Sequence, residues 1–368
     1  MTEQLPRLRQ ALAAAHLDAL AVVPGANLRY LAGIGFTTKL RLTMALFTAS
    51  GPAALVVPRM EQARAAAESR VPFQVYPWDD GEQPTDALRR AAADLSLAGR
   101  IGVENTVMRV FELRALEAAV PGAEMVDATP LLAAMRAAKD ARELAAIRQA
   151  VRIIEATLRE TLGRMCAGMT EREVAAIWNN AITAAGCVPA FETTVGSGPN
   201  GANPHHTNSD RRLQPGDLVV LDGGVCYDGY ASDITRTVAV GEPGEEARRI
   251  YALVQQANAA GRAAAALPGA TGDAIDRAAR AVIEAGGYGP YFFHRTGHGI
   301  GLEIHEPPFI VAGATEPLPV GATFTIEPGI YLAGFGGVRI EDDVVIAPDG
   351  AESLTTFERE LIVIADGR

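Results

Sequence analysis

Apolar positions along the chain follow two regimes. In the first third, short apolar runs alternate with stretches spaced for helices. Leu5, Leu8, Leu12 and Ala15 recur at helical intervals, which predicts a helix over 3–15. Residues 18–23 read as a strand closed by Pro24-Gly25, and residues 27–33 as a short helix capped by Asn27 and stopped by Gly33. Strands follow over 44–48 and 53–57, then a helix over 61–69, a strand over 73–76, a helix over 85–95, a strand over 101–103 and a helix over 110–119. Such alternation predicts a three-layer α/β domain. Residues 124–139, with Pro130 among them, read as a connection. The domain boundary is placed near residue 130, giving an N-terminal α/β domain over 1–130 and a second domain over 131–368. The first carries no phosphate loop or metal cluster, and Gly33-Ile34-Gly35 is too little for a dinucleotide fingerprint.

The second regime repeats on a larger scale. Lys139 to Glu143 opens a long amphipathic helix reaching about Arg164, and Thr170 with Glu173 fits a capping box for a helix ending near Ala185. Residues 191–212 are Gly-, Pro- and Asn-rich, contain Pro204-His205-His206, and read as a long loop of the functional or mobile kind. An apolar run over 218–221 then ends in Asp222. A Gly-rich turn follows, and Ser232-Asp233 opens a second run over 234–240. This pattern predicts a β-hairpin with one carboxylate on each arm.

About a hundred residues later the pattern returns. Aligning Leu213 with Leu318 puts Gly216 on Gly321 and Asp222 on Glu327, and the second arm now carries Glu341-Asp342-Asp343. The helical stretches starting at Gly168 and Gly269 match as well. The second domain therefore reads as α+β, built from a duplicated helix-helix-hairpin unit. A pseudo-two-fold axis would bring the carboxylates of both hairpins to one site.

Asp is a poor strand residue and is almost never buried unpaired. Converging carboxylates repel unless a cation or shared proton lies between them, and one or two divalent metals would satisfy them. His298, between the hairpins in sequence, can add a nitrogen ligand. One imidazole among oxygen donors suits Mn²⁺, Fe²⁺, Co²⁺ or Zn²⁺ better than a Ca²⁺ cage. Strand alternation puts Glu341 and Asp343 on one face and Asp342 on the other. Arg339 shares the face of Glu341, where it can pair with a ligating carboxylate or touch substrate. Tyr230, near Asp233, either contacts the site or packs. Gly297, Gly299 and Gly301 suit close backbone approach around a ligand. His206 points away from His205 if the chain is extended there.

The net charge of −11 gives nucleic-acid or anionic-membrane binding no electrostatic support. No run reaches transmembrane length. The three cysteines, Cys166, Cys187 and Cys226, show no CxxC spacing, and a cytoplasmic protein is the expectation.

Asp222, Asp233, His298, Glu327 and Glu341 lie in the motifs LDGGVCYDGYASDITRT, GHGIGLEIHEPP, TIEPGIY and GVRIEDDV. Together they resemble the five-ligand set of the pita-bread metallopeptidases, which include methionine aminopeptidase, aminopeptidase P and prolidase. The resemblance covers roughly residues 140–365 in detail, and residues 1–130 resemble the creatinase-type N-terminal domain of the proline-directed members. It implies two divalent metal ions per subunit (Mn, Co or Zn), bridged by Asp233 and Glu341, with Asp222 completing one and His298 and Glu327 the other. It implies attack by a metal-bridged hydroxide, with Glu327 as proton shuttle and His205 and His305 beside the substrate. It also gives Asp343 a structural role and makes His294 a pocket residue, to which Arg339 and Tyr230 are added as candidate substrate contacts.

The histidine set resembles that of enzymes cutting Xaa-Pro bonds, either the dipeptidase (prolidase) or the Xaa-Pro aminopeptidase, acting on proline-containing di- or oligopeptides as a homodimer. Some prolidases place an Arg after the HExP motif to hold the substrate carboxylate. Phe309 stands there in this chain, leaving Arg339, Arg295 or Arg211 as substitutes. The rival readings are a methionine-type aminopeptidase, a non-catalytic binding module on the same fold, and a metal-free hydrolase resembling creatinase. The last two typically lack this ligand set.

Overall fold

The computed structural model describes residues 4–37 and 40–366, which divide into two units over 1–136 and 137–368. The first unit is built on one six-stranded sheet in the order Phe73–Trp78, Ala53–Pro58, Met44–Thr48, Ala19–Val22, Arg100–Val103 and Glu124–Asp127. Its central strands are apolar along their length, and Leu46, Val56 and Ile101 pack with Leu88 and Leu116 from helices Pro84–Asp94 and Val110–Ala119.

Two expectations are corrected here. Asn27 does not cap its helix: Ala26–Ala32 starts after Gly25, and the Asn27 amide instead donates to Glu104 (2.7 Å) and accepts from Arg136 (2.9 Å). The buried Glu104 carboxylate outcompetes the helix end for that side chain. Residues 124–139 are not mere connection. They form the edge strand Glu124–Asp127 and the helix Thr129–Ala137, where Pro130 sits in the first turn and removes no helical hydrogen bond.

In the second unit, Asp140 with Glu143 and Thr170 with Glu173 form capping boxes that start helices Ala141–Arg164 and Glu171–Ala184. Ile154, Leu158, Val174, Trp178 and Ile182 of this pair bury against Val219, Leu221, Ile234 and Val238 of the first hairpin. That hairpin pairs Leu218–Gly223 with Ile234–Val240, antiparallel, with Asp222 opposite Thr235. The second hairpin pairs Thr323–Ile326 with Asp342–Ala347. It packs Phe324, Ile326 and Val344 against Ile275 of helix Gly272–Ala285, the partner of helix Glu245–Ala265. The fold is thus the duplicated helix-helix-hairpin arrangement of the pita-bread class, joined to an α/β unit.

The hairpins are tied to each other by buried groups. The Arg236 guanidinium donates to the carbonyls of Glu341 (2.6 Å) and Phe357 (2.9 Å) and to Asp342 Oδ1 (2.8 Å). Thr237 Oγ1 donates to the Arg339 carbonyl (3.0 Å) and accepts from its N–H (3.0 Å).

The 191–212 stretch carries more order than its composition suggests. Thr194–Ser197 adds a strand beside Leu218–Gly223, and a short 3-10 turn covers Gly198–Ala202. Its anchor is Glu171, fully buried at the start of its helix. One carboxylate oxygen accepts from Ser197 N (2.8 Å), Ser197 Oγ (2.7 Å) and Asn200 Nδ2 (2.9 Å). The other takes Ser209 N (2.9 Å), Ser209 Oγ (2.6 Å) and His206 Nε2 (2.7 Å). Burial alone would raise this carboxyl. The donors of Ser209, Asn200, His206 and Ser197 outweigh it and bring Glu171 from 4.5 down to about 2.

Two outcomes follow. Trp178→Ala removes the largest fully buried side chain, whose ring backs Gly223 next to Asp222. Urea unfolding will show a loss of about 3–5 kcal/mol. Because the folded Glu171 carboxyl lies below its unfolded value, its contribution is fully present above about pH 4.5 and fades as pH falls towards about 2. The stability gap between the wild type and Glu171→Gln, read from urea midpoints across that window, will shrink as the solution is acidified.

Candidate metal centre

The first hairpin delivers Asp222 at the end of its apolar strand and Asp233 at the start of the next. The second delivers Glu327 and Glu341 at the matching ends, and His298 lies on the short strand Gly297–Gly299 beside Thr323–Ile326. One donor atom each from Asp233, His298 and Glu341 lie within 4.8 Å of one another. His298 Nε2 stands 3.2 Å from Glu327 Oε1 and 3.8 Å from Asp233 Oδ2. Asp222 stands outside that trio, and its Oδ2 accepts from Arg339 Nη2 at 2.6 Å.

Burial, reinforced by neighbouring carboxylates, makes these acids reluctant to ionise. Asp233 is pushed well above the usual range by burial, then by Glu341 and Asp222. Glu341 is pushed well above it by burial, then by Glu327 and Asp222. Asp222 also rises through burial, although Arg339 opposes it. Glu327 goes the other way. Burial would raise it, but the hydrogen bond and charge of His298 hold it below the ordinary range. Oδ1 of Asp222 and Oδ1 of Asp233 are buried without any hydrogen-bond partner among the described residues. A buried carboxylate oxygen with no donor is costly, and bound divalent metal would supply the missing partner. The donor set of carboxylate oxygens and one imidazole fits Mn²⁺, Co²⁺ or Zn²⁺.

A cavity of about 620 Å³ opens over these groups. Its wall takes in Asp222, Asp233, His298, Glu327 and Glu341, together with the expected His205, His294, His305 and Arg339. Tyr230 is not brought to it: this residue is buried, and its phenol donates to Glu143 Oε1 at 2.8 Å. His206 also reaches the wall, on the side where it holds Glu171. His294 Nδ1 meets the Arg295 carbonyl at 2.7 Å and its Nε2 meets the Tyr331 hydroxyl at 3.0 Å. Burial lowers its basicity. With Nδ1–H donating to that carbonyl, Nε2 of the neutral ring accepts from Tyr331. His305 stacks edge-on against His298, with ring centroids 4.2 Å apart. Burial, then the charges of His298 and Arg295, take it down to about 4.

Several functional neighbours escaped the sequence reading. Tyr331 accepts from Arg339 Nη1 at 3.0 Å. Thr235 accepts from Arg339 Nε at 3.1 Å and donates to Glu341 Oε2 at 2.5 Å. Strand alternation from Asp233 would have found Thr235. Nothing local marks Lys139, whose ammonium pairs with Glu306 Oε1 at 2.8 Å in a fully buried contact beside His305. The glycines of the His298 motif lie tight against neighbouring strands. A Cβ on Gly297 would strike the Thr325 carbonyl and one on Gly299 the Glu306 carbonyl, because neighbouring strands lie there. Asp343 points its Oδ2 at the Asp233 N–H (3.0 Å), and Asp342 faces Arg236 and Arg359.

Comparison with known proteins gives this site a lineage. The family model "Metallopeptidase family M24" matches residues 145–348, and "Creatinase/Prolidase N-terminal domain" matches 4–138. The crystal structure of dipeptidase PepE from Mycobacterium ulcerans is 41% identical with a TM-score of 0.90, covering 98% of this chain and 97% of its own. The Xaa-Pro dipeptidase of Pyrococcus horikoshii is 34% identical over 98% of this chain and 99% of its own length. The X-Pro aminopeptidase of Thermotoga maritima is 33% identical with a TM-score of 0.85, over 96% of this chain and 100% of its own. With most of its length matched in this way, the chain belongs to metallopeptidase family M24 and carries the creatinase/prolidase N-terminal domain.

Proposed function

We propose that the protein is a dinuclear metal-dependent Xaa-Pro peptidase, hydrolysing the bond between an N-terminal residue and proline, with dipeptides as its substrates. The observation that carries this reading is the pair of partnerless buried oxygens on Asp222 and Asp233, set among Glu327, Glu341 and His298. Relatives named Xaa-Pro dipeptidase support the substrate class. In this reading Asp222, Asp233, His298, Glu327 and Glu341 would together hold two divalent ions. When bound, such ions acidify water and polarise a carbonyl oxygen.

The remaining chemistry belongs to the chain. Arg339, fixed by Tyr331 and Thr235, holds Asp222 in place. Glu327, kept ionised beside His298, takes the proton of the attacking water and returns it to the departing proline nitrogen. His305 is neutral near pH 7 and can donate a ring N–H to the developing oxyanion, and His205, exposed on the anchored loop, can do so from its own part of the wall. The substrate ammonium is drawn to the carboxylate end, which favours cleavage after the first residue. No helix of the described residues is long and apolar enough to cross a membrane. Cys166, Cys187 and Cys226 are thiols rather than disulfides, which suits a reducing cytoplasm.

Two measurements test this reading. Calorimetric titration of metal-free protein with Mn²⁺, Co²⁺ or Zn²⁺ will find two sites. At about 100 times the dissociation constant, the metal will stabilise the fold by about 2.7 kcal/mol, and Asp233→Asn will lose most of that gain. An unchanged melting temperature with all three metals would sink the metal centre. The loaded enzyme will hydrolyse Ala-Pro, and Glu327→Gln will lower kcat by about 10²–10⁴ while remaining folded by circular dichroism. Hydrolysis of methionyl peptides with none of Ala-Pro or Ala-Pro-Ala would move the assignment to a methionine-type aminopeptidase.

A further inference from the structure

A peptidase that prefers dipeptides must recognise the free carboxylate at the far end of its substrate, and a planar guanidinium is the group best shaped to do so. Phe309 occupies the place where an arginine would be expected from the resemblance to prolidases, opposite His298 in the strand register. The structure separates the three arginines left as substitutes. Arg211 is not on the cavity wall, and it is held by both oxygens of Asp217, at 2.6 and 2.9 Å. Arg339 is on the wall, but it is buried and its three nitrogens are engaged with Thr235, Tyr331 and Asp222. Arg295 is on the wall and half-buried, and it is in no ion pair among the described residues. Its guanidinium carbon lies 4.6 Å from the centroid of the Phe309 ring.

We propose that Arg295, held over Phe309, binds the C-terminal carboxylate of the substrate and makes the enzyme selective for dipeptides. This rests on the Xaa-Pro peptidase reading above. Phe309 then has a positive role: its ring face supports the cation and leaves the guanidinium edge free to take both carboxylate oxygens. The backbone beneath is fixed. The Arg295 carbonyl accepts from His294, and the Thr296 N–H donates to the Ile310 carbonyl at 3.0 Å. The anchor therefore keeps a set distance from the His298 strand, which is what a ruler for substrate length requires.

The test compares kcat/KM for Ala-Pro, Ala-Pro amide and Ala-Pro-Ala in the metal-loaded full chain, with wild type, Arg295→Gln, Arg295→Lys and Phe309→Leu. The wild type will prefer Ala-Pro over its amide. Arg295→Gln will cut that preference about 10- to 100-fold, chiefly by raising KM for Ala-Pro, as loss of a charge-assisted contact requires. Arg295→Lys will restore part of the preference, and Phe309→Leu will weaken it less than Arg295→Gln does. Metal stoichiometry and melting temperature serve as folding controls. An equal loss on all three substrates, or an unchanged preference in Arg295→Gln, would overturn the assignment, as would a wild type that cleaves Ala-Pro-Ala as readily as Ala-Pro. If the wild type cleaves none of the three, the peptidase reading fails first.

Discussion

Like charge held out of water is the constraint on which the second unit turns. Asp222, Asp233, Glu327 and Glu341 occupy one buried neighbourhood, and each raises the cost of ionising another. Without compensation, such a cluster would open the fold. The compensation is layered. His298 and Arg339 meet the acids directly. Behind them Thr235 and Tyr331 fix Arg339, and Arg236 clamps the strand that carries Glu341. Oδ1 of Asp222 and Oδ1 of Asp233 are still left without donors among the described residues. Strong electrostatic demand at one point thus explains why Arg339, Thr235 and Arg236 are buried behind the acids.

Duplication is what makes the arrangement affordable in sequence terms. Each repeat supplies a helix pair that covers the outer face of its own hairpin with ordinary apolar packing. Each hairpin then needs only to end its apolar arm in an acid. The repeats nevertheless diverge where they meet. Arg236 of the first hairpin finds Asp342 of the second, and the two stand opposite the matched residues Leu221 and Ile326, so equivalent positions carry opposite charges. His298 likewise enters from the strand Gly297–Gly299, whose counterpart beside the first hairpin, Thr194–Ser197, carries no histidine.

Much of this was legible in the sequence, for physical reasons. Hairpin periodicity, the capping box at Thr170 and the returning acid-glycine pattern are local signals, and the structure follows them. The five expected ligands and most of the expected substrate contacts do line one cavity. The failures share another cause. Asn27, Glu171, Lys139 and Tyr230 are decided by partners 77, 26, 167 and 87 residues away, and no local pattern announces those pairings. The glycines of the His298 motif are ambiguous at the level of sequence, since crowding by a neighbouring strand and crowding by a ligand call for the same residue.

The spacing of the acids along the chain has a consequence for biosynthesis. A ribosome releases Asp222 and Asp233 with the first hairpin, whereas Glu327 and Glu341 emerge only after the second helix pair and the His298 strand have been made. A nascent or truncated chain therefore holds half of the acids and neither the full ligand set nor the Arg339 partner of Asp222. The centre is completed only when the segment carrying Glu327, Arg339 and Glu341 has been made, so a copy stopped before it has no assembled site with which to act on the peptides around it.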